Sequence, residues 1–86
     1  MDKLRLLTRL GNLDTHNKLP LVELAGSCRV LIENHTGVLS YSQEEITVRV
    51  CYGCVRVTGQ NMMLAEMHRE QLVISGQIDG VSLHRR

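Results

Sequence analysis

The chain has 86 residues, a formal net charge of +1 and a pI near 7.8, which fits one small domain and argues against the broad basic field of a nucleic-acid binder. It holds two tyrosines and no phenylalanine or tryptophan, so its core has to be built from Leu, Val, Ile and Met. No apolar run approaches the ~20 residues that span a bilayer, and charges interrupt the N-terminal leucines, so neither a membrane span nor a secretory signal is expected and the protein reads as cytoplasmic.

Residues 1–18 read as a short helix and a linker, separate from a β domain over 19–86. Leu4, Leu7 and Leu10 recur at helical spacing with Leu6 beside them, and Gly11-Asn12 supplies a stop. A helix this short is marginal alone and has to dock. It would pack over the edge of the core. Alternatively, the three basic residues and five leucines within 1–13 would make a peripheral contact with a membrane surface. The stretch DTHNKLP (14–20) is polar and ends in the one proline.

From Leu21 onward, β-prone runs alternate with turn residues. The runs are 21–25, 29–33, 38–41, 45–51, 54–58, 62–67, 71–75 and 77–83, broken by glycine- and asparagine-bearing segments. This predicts an all-β domain of about seven or eight short strands, paired antiparallel as a meander sheet or a small β-sandwich. VRVTGQ (55–60) resembles LVISGQ (72–77), with VELAGS (22–27) a weaker third copy. Such a repeat makes a short β-solenoid the structural alternative.

CYGC (51–54) has three readings. Closed as a hairpin at Tyr52-Gly53, it sets Cys51 against Cys54 and gathers Val48, Val50, Val55 and Val57 on one face. The other face then opposes Arg49 to Arg56. These like charges call for a carboxylate between them, from Glu44, Glu45, Glu66, Glu70 or a partner protein. A zinc site would need two further ligands, with Cys28 and the histidines as the soft candidates and no second Cys-x-x-Cys to supply them. A redox dithiol would need a helix N-terminus, whereas strands flank this motif. The three cysteines therefore read as free thiols, and a zinc- or thiol-dependent protein using Cys51 and Cys54 is the rival to an architectural role.

IENHTG (32–37) reads as a turn joining two strands, in which Asn34 tolerates left-handed backbone. Its polar residues Glu33, Asn34 and His35 exceed what a turn needs and form a candidate binding surface. In NMMLAEM (61–67), Met62 and Leu64 share one strand face; Met63, Ala65 and Met67 share the other. That second face is either core or a methionine-lined self-association surface, with Met63 and Met67 at its centre. His84-Arg85-Arg86 reads as a solvated basic tail. No phosphate-cradling loop, nucleophile elbow, HExxH or framed carboxylate pair is present, so neither an enzyme nor a cofactor or metal is expected.

LPLVELAG (19–26), VLIENHTGVLSYSQEEI (30–46), GCVRVTGQNM (53–62) and LVISGQIDGV (72–81) together resemble the YabP/YqfC family of small sporulation proteins, most closely its YqfC branch. The resemblance covers roughly residues 19–83. It implies a sporulation factor made in the mother cell, and a partner of the membrane-anchored YqfD type at the outer forespore membrane. It carries no catalytic residue and no cofactor. Cys51 and Cys54 depart from the family pattern, which favours the hairpin reading of CYGC. The expected function is thus non-enzymatic assembly, with itself or with that anchored partner, through strand edges or the methionine-bearing face.

Overall fold

A computed structural model describes residues 19–86, so the helix expected within 1–18 lies outside the described residues. Six strands follow in order: β1 (Leu21–Ala25), β2 (Arg29–Glu33), β3 (Gly37–Tyr41), β4 (Glu45–Val50), β5 (Gly53–Met67) and β6 (Gln71–Arg85). They form one sheet of order β1-β2-β6-β5-β4-β3, and every pairing is antiparallel. The all-β expectation holds. The strand count is six because two pairs of expected strands are continuous. The breaks at Gly59-Gln60-Asn61 and at Gly76 are kinks within β5 and β6, not turns between strands.

The β5–β6 hairpin is the spine of the molecule. The first half of β5 (53–58) carries β4 and then β3. The first half of β6 (71–75) carries β2 and then β1. Between the halves the β5–β6 register shifts at Thr58/Gly59 and again at Gln60/Met63. Such bulges bend and twist a sheet locally. A Cβ on Gly59 would sit 1.9 Å from the Gln77 carbonyl oxygen. One on Gly76, at φ +139°, would sit 2.6 Å from that of Asn61, so only glycine fits at either kink.

The kink frees backbone N–H groups from the ladder, and the two neighbouring turns satisfy them. Gly59 and Met62 donate to the carbonyls of Glu44 and Gln43 in the β3–β4 turn, at 3.0 and 2.9 Å. Gly76 and Ile78 donate to those of Cys28 and Ser27 in the β1–β2 turn, at 3.1 and 2.8 Å. The VTGQ/ISGQ repeat is therefore two arms of one hairpin bending at the same place, with Gln60 opposite Gln77. All-antiparallel pairing overturns the solenoid alternative.

The connection from β2 to β3 proves that the sheet folds over. Four strand spacings separate these two in the sheet order, about 19 Å if the sheet were flat. The four Cα steps from Glu33 to Gly37 reach at most about 14 Å. The sheet therefore curls until its two halves face each other, and 34–36 crosses between layers rather than making a hairpin turn. Val30 and Ile32 of β2, Leu72 and Ile74 of β6, and Met62 of β5 meet Ile46, Val48 and Val50 of β4 and Val55 and Val57 of β5 in one buried aliphatic cluster. The alternation in RVLIE and EITVRV is what aims those side chains inward.

Candidate interaction surfaces

At the hairpin tip the two-residue loop is Cys51-Tyr52, and Val50 pairs with Gly53. The expected register is displaced by two residues on the facing strand, a shift that preserves which face each side chain takes. All four valines are accordingly buried together, as the alternation predicted. Their cross-strand partners differ. Cys51 is exposed in the loop, so it does not face Cys54, which instead lies between Arg49 on β4 and His84 on β6. All three cysteines are free thiols. The third strand explains the correction: β6 runs on to Arg85, placing Arg85 opposite Gly53, its guanidinium over the Tyr52 ring at 5.4 Å, and the Arg86 N–H on the Tyr52 carbonyl at 3.0 Å. His84 and Arg85 belong to the sheet, not to a solvated tail.

Arg49 and Arg56 do not oppose one another either. Arg56 pairs across the ladder with Thr47 and forms an ion pair with Glu45, Nε to Oε2 at 3.0 Å, one of the carboxylates anticipated for this face. Both groups are about half exposed, so the pair adds little stability. Arg49 has no carboxylate partner among the described residues and lines a hollow of about 310 Å³ with Leu39, Cys54, His84, Arg85 and Arg86. Arg49, His84 and Arg86 line it with no Asp or Glu, and Arg85 directs its guanidinium onto Tyr52 instead.

The crossing segment is fixed by its own polar atoms. Asn34 takes φ +65° and its amide donates to the Leu19 carbonyl at 2.8 Å, while its backbone N–H donates to that of Glu70 at 2.5 Å. His35 is 7% exposed. Its Nδ1 accepts the Gly37 N–H at 3.1 Å, which leaves the proton on Nε2 to be donated to the His68 carbonyl at 3.1 Å. Thr36 donates its N–H to Arg49 at 2.9 Å. Asn34, His35 and Thr36 thereby tie β3 and β4 to the β5–β6 turn and to the entrance of β1. Glu33 is partly buried opposite Leu21 and Gln71.

Met63 and Met67 are exposed but do not share a face. A register shift between Leu64 and Glu66 inserts one extra residue, so Met63 pairs with Ser75 while Met67 pairs with Leu72 on the core side. The continuous methionine face read from strict alternation is split by that bulge.

Sequence reasoning names strand edges as a route to assembly but none of the apolar residues that lie on them. Leu21 (44% exposed) and Leu24 (56%) lie on β1; Leu39 (50%) and Tyr41 (54%) lie on β3. These two short strands carry half of the large exposed apolar side chains among the described residues. A second hollow, of about 480 Å³, lies beside β1, lined by Glu23, Leu24, Leu31, Val73 and Glu66, with Arg29 as its one basic group. Among the described residues no three His, Cys, Asp or Glu side chains gather as a metal-binding set.

The family model of the YabP family matches residues 16–86, which takes in the whole folded sheet. The chain belongs to the YabP family. Within that family it is similar to the uncharacterized protein YqfC of Bacillus subtilis (strain 168), 29% identical over 68 residues that cover 79% of this chain and 73% of the relative. The YabP/YqfC resemblance read from the sequence is thereby established.

Proposed function

We propose that this YabP-family chain is a non-enzymatic sporulation factor of the mother cell, assembling with itself or with a membrane-anchored, YqfD-like partner at the outer forespore membrane. The observation that carries this reading is the pair of outer strands, β1 and β3, whose outer sides no other strand covers among the described residues. A free edge presents unpaired backbone N–H and C=O groups, and proteins normally blunt it with charge or proline. Here β3 (GVLSY) holds neither, though it has a bulge at Leu39, and its exposed Leu39 and Tyr41 would be a poor outer surface for an isolated protein. Glu33, Asn34 and His35 serve the assembly by holding β3 in place from behind. Arg49 contributes directly beside that edge. Arg56, Met63 and Met67 contribute exposed contacts farther from it.

The test is complementation in a spore-forming host that lacks its own copy of the gene. A chain carrying Leu39→Lys and Tyr41→Lys should accumulate to normal levels yet fail to restore heat-resistant spores, and a tagged chain should lose its focus at the forespore. Full spore yield from that variant would sink the edge-assembly reading.

A further inference from the structure

We infer that the two free edges fit each other, so that β3 of one copy takes β1 of a second copy in a head-to-tail contact; this rests on the self-assembly reading above. The two strands match in length, five residues each, and each is unpaired on its outer side among the described residues. Their surroundings carry opposite charge. Beside β1 stand Glu23 and Glu66 against a single Arg29. In the hollow beside β3 stand Arg49, His84 and Arg86 with no Asp or Glu, while Arg85 turns its guanidinium onto Tyr52. Glu23 is the sole charged residue of β1, and β3 has none.

The register makes the charge usable. Arg49 lies directly opposite Gly37 of β3, so no side chain stands between its guanidinium and the free edge. A strand added beyond β3 would place its residue in that row two strand spacings from Arg49, about 9.5 Å between backbones, within the combined reach of an arginine and a glutamate. Glu23 points to the outer face of the sheet, in one row with Leu31, Val73 and Glu66. Arg49 points outward in the row of Gly37, Cys54 and His84. In a continuous sheet these two outer faces align. With Glu23 in that row and the strands antiparallel, Val22 of the incoming strand falls on the inner face opposite Val38, where it extends the apolar side of the sheet. Two different surfaces meet, so the contact propagates, giving rings if the rotation closes and filaments if it does not.

The experiment is light scattering and sedimentation of the full chain at rising concentration, with circular dichroism confirming that each variant is folded. Wild type should form species larger than two chains. Glu23→Lys and Arg49→Glu should each weaken assembly by about tenfold or more. An equimolar mixture of the two should grow beyond two chains again, because the unchanged Arg49 of E23K meets the unchanged Glu23 of R49E while the two reversed positions complement each other. The double variant E23K/R49E, with the pair reversed, should assemble again. Single variants that assemble like wild type, or a mixture no larger than either variant alone, would overturn the head-to-tail contact while leaving self-association intact. Wild type that stays at one chain throughout would overturn self-association itself, and this contact with it.

Discussion

His35 shows how a single residue can look like a site and act as a joint. Its ring is buried, and both nitrogens are committed to backbone groups, one on β3 and one in the turn between β5 and β6. Replacing it with alanine deletes both bonds and strands two backbone partners, a loss of about 2–3 kcal/mol expected from hydrogen-bond series. Urea unfolding of H35A would measure it; a loss under about 0.5 kcal/mol would show the ring to be a bystander. Cys51 and Cys54 should behave oppositely. Neither is buried or bonded across the hairpin, so the double change to serine should move stability by no more than about 0.5 kcal/mol, and thiol titration of the native protein should count both as free.

Among the elements, the β5–β6 hairpin is the most demanding. Alanine at Gly76 would bring a Cβ against backbone that cannot move without breaking the kink, and at a φ that L-residues avoid, so a loss of at least ~3 kcal/mol is expected in a denaturant titration. Alanine at Gly59 should act similarly through the Gln77 carbonyl. In the core, Ile74→Ala should cost about 2–5 kcal/mol and Ile74→Val about 0.5–1.5. Much of this architecture was legible in the sequence. Period-2 alternation placed Val48, Val50, Val55 and Val57 on one face, and that survived a displaced register because a shift of two residues preserves faces. What alternation cannot register is an added residue. Ala65 splits the methionines, and Gly59 and Gly76 looked like strand ends because glycine marks turns and kinks alike. Strand order was equally hidden, because a three-residue link between β2 and β3 resembles a hairpin until the curl of the sheet is known. The candidate site is hidden for the same reason: alternation about Tyr52-Gly53 sets Arg49 against Arg56, whereas its true setting depends on β6 reaching Arg85.

At the scale of the whole molecule, interest moves from the interior to the rim. The buried cluster is aliphatic throughout and well enclosed, while the charged hollows and exposed leucines gather beside the edge strands. If complementary charge draws copies together, salt should weaken the contact. Raising ionic strength from about 0.1 M to 1 M shortens the screening length from ~10 Å to ~3 Å, and the average mass at fixed concentration should fall in sedimentation runs across that series. A mass indifferent to salt would assign the contact to apolar and backbone terms alone. The short crossing at 34–36 has one more implication. The kinked hairpin binds the two layers along one side, and the crossing stitches them together again at the end where His35 sits. A book bound on two sides does not open: the layers have no hinge on which to part like a clamshell around a guest, so whatever this protein recognises has to be met on its outside.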